Sequence, residues 1–332
     1  MGGTEPHLRW SPGLGGKVSS LRPGGRGREW LAPPVRPYAR PRPGQDWGEG
    51  DCSGWDECFP NIAASADGSL ADHGDVWRLA WDAAEPGALS GSVALSGSAA
   101  LSSSAARSGS VAPSDSVALS GSVALRGSVA PSGSAAPPGR DYRFAREITA
   151  EGGLLRVDYR VRNLGERPLA WAWAQHMLLA ADEETRIVSS SPMRLRVDCA
   201  FADGVIDGAA DVEWLLPAGA PTTAISLGGA AGRAAKLWFE PPVPAVVAVV
   251  RGADRLAWRV ADSSFPDLGL WVNLGGWGGT ELRHVAVEPA FGAHDRPADA
   301  YARLTPLAPR AQHAWSVLVE LGTDNDEELF MH

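Results

Sequence analysis

The sequence predicts an all-β protein, a single antiparallel sandwich domain over residues 1–332 with few short helices. Three observations predict it. Short runs alternate apolar and charged residues with the two-residue period of a half-buried strand. Proline and glycine clusters punctuate the spacing, at residues 33–34, 41–44, 217 and 241–242. No segment carries a long helical repeat.

The strands follow in order along the chain. In residues 154–162 the run Leu-Leu-Arg-Val-Asp-Tyr-Arg-Val-Arg alternates cleanly, and residues 193–198 repeat the pattern. Residues 235–239, 255–260, 268–273, 284–288 and 314–321 are further short runs bounded by Gly, Pro or Asp. The aliphatic run 243–250 is too short to span a bilayer and contains Pro244. Residues 171–179 form a strand on which Trp171, Trp173 and Gln175 share one face, and His176 the other with Ala172 and Ala174. Between Trp81 and Tyr142 a hexad repeats from residue 88 to 135, rich in Ser, Gly and Pro and free of aromatics. It is too poor in apolar surface to offset its ordering entropy, so residues 86–139 are expected to be a disordered insertion. A hexapeptide solenoid is the other reading of that period.

Composition excludes several functions. The chain has 44% apolar residues, 21% charged residues and a formal net charge of −9. It lacks the basic stripe a nucleic-acid binder needs. Lysine occurs only at Lys17 and Lys236, while Arg, Ala, Gly and Pro abound, a pattern read as coding bias. Cys52, Cys58 and Cys199 have no metal-ligand spacing, and their odd number fits a reducing compartment. The opening Met-Gly-Gly-Thr-Glu-Pro lacks a basic and apolar leader. The expectation is a cytoplasmic protein with no membrane or nucleic-acid partner.

Three blocks bear titratable chemistry: Asp72-His73-Gly74, Gln175-His176, and the strand from His284 to Glu288. Two imidazoles and a carboxylate suit acid–base work near neutral pH. Each has a plainer reading too. His176 is a ligand contact or a satisfied structural histidine, and His73 a catalytic or a turn histidine. Glu288 is a buried base with a raised pKa or an exposed strand-end acid before Pro289. Trp55-Asp56-Glu57, and Asn273 with Trp277 in a glycine-rich loop, combine indoles, acids and an amide. Indoles stack on sugar rings, and acids and amides bond hydroxyl rims. The fourteen tryptophans exceed an ordinary core's use, so some are expected to bind sugar.

Together these blocks resemble the aldose 1-epimerase (galactose mutarotase-like) family. The opening run, residues 11–21 with a Gly-Gly pair before Ser-Leu, and Gly27-Arg28-Glu29-Trp30-Leu31 look like its first strands. Asp72-His73-Gly74 matches its His-Gly motif, and Gln175-His176 its second catalytic histidine. Residues 268–276, 284–288 and 291–299 resemble its glutamate strand and the flanking segments. The family's Asn-Arg pair upstream of the first histidine is absent, with Trp55-Asp56-Glu57 near that place, and its substrate-binding aspartate has no match here.

The resemblance implies a galactose mutarotase-like β-supersandwich with its site in a groove on one sheet. It implies an isomerase that interconverts sugar anomers without cofactor or metal, acting on a free sugar or sugar derivative as a monomer or homodimer. Glu288 takes the proton of the anomeric hydroxyl, His176 protonates the ring oxygen, and His73 holds a nearby oxygen. Trp55, Asp56, Glu57, Asp72, Gln175, Asn273 and Trp277 are the expected substrate contacts. Two alternatives remain: a non-catalytic carbohydrate-binding protein on the same fold, and a glycoside hydrolase or lyase pairing Glu57 with Glu288.

Overall fold

A computed structural model describes residues 6–24, 27–42, 45–83, 117–119, 124–129, 141–202, 205–206, 212, 214–216 and 222–323. The first strands are β1 (Pro6–Ser11), β2 (Lys17–Pro23), β3 (Trp55–Cys58), β4 (Asp82–Ala83), β5 (Val117–Leu119), β6 (Ala124–Val129) and β7 (Tyr142–Glu151). Next come β8 (Leu154–Asn163), β9 (Trp173–Met177), β10 (Leu179–Ala180), β11 (Arg186–Met193), β12 (Leu195–Ala202), β13 (Val205–Ile206) and β14 (Thr222–Ser226). The last are β15 (Arg233–Phe239), β16 (Val246–Arg251), β17 (Asp254–Arg259), β18 (Asp267–Leu274), β19 (Arg283–Phe291) and β20 (Gln312–Thr323). Among the described residues one α-helix, α1 (Pro297–Arg303), follows β19 and opens with Pro297, which suits a first helical turn. No described helix is long and apolar enough to cross a membrane.

Among the described residues the strands form two antiparallel sheets. One runs β13-β12-β15-β18-β19-β9-β3-β2-β1-β5, with β10 also beside β19; the other runs β14-β11-β16-β17-β20-β8-β7-β6-β4. Each expected run falls largely in a strand, with three differences: β17 ends at Arg259, one residue short of 260; the run 171–179 holds β9 and β10 with Trp171 and Ala172 before them; and 193–198 is interrupted. The alternation at 193–198 spans a break, because Met193 ends β11 and Leu195 begins β12.

The alternating pattern explains the sandwich. On β8 the apolar set Leu155, Val157, Tyr159 and Val161 turns inward, and the intervening Arg156, Arg160 and Arg162 stay exposed. Inner residues of both sheets meet in one continuous core, burying strand faces that would otherwise contact water. Eight of the fourteen tryptophans lie in it, including Trp55, Trp173 and Trp258. Most of the indole surplus is therefore core.

Most of the expected insertion, 86–139, lies outside the described residues. The described residues within it, 117–119 and 124–129, are strand. β5 pairs with β1 over three residues, and β6 pairs with β7 from Ala124↔Thr149 to Val129↔Phe144. The composition argument weighed side chains, whereas a strand here gains main-chain hydrogen bonds at the open edge of β7.

Candidate active site

The register of the larger sheet builds a single line of polar residues across its outer face. Asp56 pairs with His176, and Cys58 with Ala174. On the next strand Ala290 pairs with Ala174, and Ala180 with His284, so an unbroken register sets Glu288 opposite His176. Glu288 pairs in turn with Gly269, and Gly269 with Trp238. Val18 pairs with Trp55, which brings Lys17 beside Asp56. The neighbours Val285 and Val287 belong to the inter-sheet core, so Glu288 points away from it.

Two lysines clamp this line. The Lys17 ammonium donates to Asp51 Oδ1 and Asp56 Oδ2, both at 2.8 Å, and to the Ser53 carbonyl at 2.7 Å. The Lys236 ammonium pairs with Glu288 Oε2, lies 3.4 Å from Asp295 Oδ1 and sits 5.1 Å over the Trp238 ring. Burial outweighs that ammonium and pushes the Asp295 carboxyl up to about 6. Both lysines are buried, and they are the only lysines in the chain. The coding-bias reading missed this; the signal was that a chain so poor in lysine keeps two, each on a strand near a motif.

His73 arrives from a loop laid back along β3. The Phe59 amide donates to the His73 carbonyl at 3.3 Å, and the His73 amide to Ile62 O at 2.8 Å. His73 has a left-handed φ of 58°, a strain that a non-glycine residue rarely accepts. Gly74 follows at φ 71°, and a Cβ there would stand 2.2 Å from the Phe59 carbonyl oxygen. Only glycine lets the loop close on β3 at this point. The result sets His73 against His176, ring centroids 4.6 Å apart and edge to face. Trp47 stacks on His73 at 4.8 Å and meets His176 edge-on at 4.9 Å.

The two imidazoles differ in charge. Burial is the largest single influence and disfavours a charged His73, but the Asp72 carboxylate, 3.0 Å from its Nδ1, and Cys58 together outweigh it and raise His73 well above the usual histidine range. His176 is pushed well below that range by burial and by the charge of His73. Its Nδ1 is buried without a hydrogen-bond partner. His284, on the same face of β19, is held down to about 3 by burial. The Cys58 thiol lies within hydrogen-bonding reach of His73, and burial pushes it up to about 11.

Several expected contacts lie elsewhere. Trp55, Glu57 and Gln175 alternate with Asp56 and His176, so they point into the inter-sheet core. Glu57 accepts from Trp55 Nε1 (2.9 Å), Arg146 Nη1 (2.8 Å), the Tyr159 hydroxyl (2.9 Å) and Trp173 Nε1 (2.9 Å). Gln175 donates to Tyr159 and accepts from Trp258 Nε1. None of the three reaches the outer face, and the hydrolase alternative loses its carboxylate pair. Asn273 is also spent: its Oδ1 accepts from the amides of Gly275, Gly276 and Trp277, and its Nδ2 donates to Trp277 O. It shapes the turn that carries Trp277, which stacks on Trp47 at 6.4 Å. Asp56, Asp72, His73, His176, Trp277 and Glu288 do share the outer face and its covering loops.

The chain covers almost the full length of solved structures with this architecture. A galactose mutarotase-like protein from Lactobacillus casei aligns with TM-score 0.58 at 16% identity, over 93% of this chain and 95% of that one. A galactose mutarotase related enzyme from Lactobacillus acidophilus aligns with TM-score 0.60 at 11% identity, over 98% and 97%. A galactose mutarotase-like protein from Clostridium acetobutylicum gives 0.58 at 13%, over 97% and 94%. The fold is galactose mutarotase-like. No protein-family model matches the chain, and no curated protein matches it by sequence. At these identities the likeness speaks for the fold.

Proposed function

We propose that this protein is an acid–base carbohydrate isomerase that interconverts the anomers of a free sugar. The observation that carries the reading is the register opposing His176 and Glu288 on the outer face, with His73 against His176. Adjacent strands are about 4.8 Å apart. Side chains on them can therefore bracket the anomeric hydroxyl and the ring oxygen, which are bonded to one carbon.

Glu288 takes the proton of the anomeric hydroxyl while the histidine pair protonates the ring oxygen. The bond from the anomeric carbon to the ring oxygen breaks and leaves an open-chain aldehyde. Rotation next to the carbonyl exposes its other face, and the reverse proton transfers close the other anomer. The charge asymmetry shifts the sequence-based roles. His73, beside Asp72, is the member that holds the proton at neutral pH, and His176 is the neutral member. A sugar entering this site displaces the Trp47 ring from the imidazoles and competes with Lys236 for Glu288.

Those two contacts favour a second reading, a carbohydrate-binding protein that does not catalyse. Anomer exchange followed by NMR across a panel of free sugars separates the two. The isomerase reading expects exchange faster than the spontaneous rate for at least one sugar. Glu288→Gln keeps the shape and one acceptor oxygen but cannot take a proton, so it slows exchange by about two to four orders of magnitude while binding survives. Wild-type exchange at the spontaneous rate for every sugar, with binding retained, overturns the isomerase reading.

A further inference from the structure

We infer that Cys58, His73 and His176 form a binding site for a thiophilic divalent cation of the zinc class, and that a bound cation switches off the acid–base site. The second half rests on the isomerase reading; the first stands apart from it. One ligand atom from each residue lies within 4.8 Å of the other two. The three come from β3, the loop after it, and β9, segments that neither cysteine spacing nor a local motif connects.

The arrangement has features that ordinary core packing does not require. His176 is 6% exposed, and its Nδ1 has no hydrogen-bond partner, although an unpaired buried nitrogen is costly. Asp72 Oδ2 stands 3.0 Å from His73 Nδ1, an ion-pair distance without hydrogen-bond alignment, so His73 too holds a buried nitrogen with no hydrogen-bond partner. A carboxylate behind a ligating imidazole fixes its orientation and raises its basicity. Ala174, directly opposite Cys58, leaves the thiol clear of a bulky neighbour. The same region carries the carboxylates of Asp56, Asp72, Glu288 and Asp295 against the ammonium groups of Lys17 and Lys236.

The donor set selects the metal. One sulfur and two imidazole nitrogens suit zinc or cobalt and discriminate against magnesium and calcium, which take oxygen ligands. Zinc–sulfur bonds of about 2.3 Å and zinc–nitrogen bonds of about 2.0 Å hold tetrahedral donors roughly 3.3–3.6 Å apart. A pair at the 4.8 Å limit must close by roughly 1.2–1.5 Å, within the reach of side-chain rotation. Binding releases two protons to solvent: the Cys58 sulfur–hydrogen bond breaks as the sulfur–metal bond forms, and the His73 Nε2–H bond breaks as that nitrogen takes the metal, because His73 starts as the charged imidazole. Three protein ligands leave a fourth position for water. A cation held this way takes the lone pairs of both imidazoles, so neither can pass a proton to a sugar.

Cobalt(II) titration of the intact, metal-free protein tests the site. The expected result is one cobalt per chain, with visible bands of four-coordinate intensity and a sulfur-to-cobalt charge-transfer band that zinc abolishes. Cys58→Ser removes the charge-transfer band and weakens binding by tenfold or more, whereas Cys52→Ser and Cys199→Ser keep it. Asp72→Asn weakens cobalt binding by about 10–100-fold without removing the band. If the Cys58 variant does not fold, stoichiometric zinc must still raise the melting temperature of the wild type. No band, a band unchanged in a folded Cys58→Ser, or no thermal shift overturns the site. Anomer exchange with and without zinc tests the switch: unchanged exchange in the zinc-loaded protein overturns it. A metal-free protein that exchanges no sugar sinks the isomerase reading, and the switch with it, while the cobalt spectrum still decides the site.

Discussion

A single step of strand alternation separates Asp56 from Glu57, and it divides two kinds of buried carboxylate. Asp56 meets Lys17 on the outer face, whereas Glu57 meets Arg146 inside the sandwich, between the Trp55 and Trp81 rings at 5.0 Å each. Glu57→Ala leaves the Arg146 charge and the Trp55, Tyr159 and Trp173 donors without their acceptor. Breaking such a pair costs about 3–5 kcal/mol, readable as a lower urea midpoint, while Glu57→Gln costs less and leaves sugar affinity unchanged. A loss of sugar affinity in a stably folded Glu57→Gln restores Glu57 to the site. Gly74→Ala is expected to cost several kcal/mol or to pull His73 off His176, since the added Cβ meets backbone and the turn needs a positive φ. Urea unfolding reads the first effect and loss of exchange activity the second; a variant unchanged in both refutes the clamp on β3. That His176 and Glu288 share a face was legible because motif and parity agree on them, whereas His73, on a loop, had only its motif. Gln175 was misassigned against its own parity, one step from His176. Lys236, Trp47 and Cys58 carried no motif, and Lys17 sat in the opening run without a role, because ion pairs and ring stacks between distant segments leave no local spacing to read.

At the scale of elements, periodicity exposed long strands with one wet face but passed over Tyr142–Glu151, which alternates in the same way. Leu154–Asn163 and Gln312–Thr323 alternate because one side meets the core and the other meets solvent. The central strands are harder to read. Arg283–Phe291 is buried on both faces apart from its first residue, so only its bounding residues marked it. The hexad segment lies mostly outside the described residues. Its β6 is held by main-chain pairing with β7, which composition does not register. Replacing residues 88–135 by a short Gly-Ser turn strips β6 from β7 and β5 from β1 and leaves both strands as bare edges. The expected outcome is a melting temperature lower by several degrees, with more aggregation on heating. A melting curve within about one degree of the full chain makes these strands dispensable.

Over the whole molecule, acid is the condition to which the closed outer face is most exposed. The face keeps neutral imidazoles where water does not reach, and unfolding releases them to protonate freely. His284 is 1% exposed, its Nε2 has no hydrogen-bond partner, and burial holds its folded pKa to about 3. In the unfolded chain the same group titrates near 6.5. Between those values the unfolded state binds more protons, so stability rises with pH through that window. The stabilisation is complete above about pH 6.5 and drains away as the pH falls towards 3. His176, depressed by burial in the same way, adds to the slope. Asp295 opposes it. Its folded carboxyl, raised to about 6 above an unfolded value near 3.9, is a burden at neutral pH that protonation relieves between those values. His284→Leu isolates one contribution, because it removes the titrating group and keeps an apolar filling beside Trp271. Relative to wild type, the variant should gain about 2 kcal/mol between pH 7 and pH 4.5, whatever its penalty at neutral pH. Urea unfolding of both proteins at the two pH values measures that difference of differences. A gap that stays constant with pH means that folding does not shift the titration of His284, and the sealed outer face would then need to admit water.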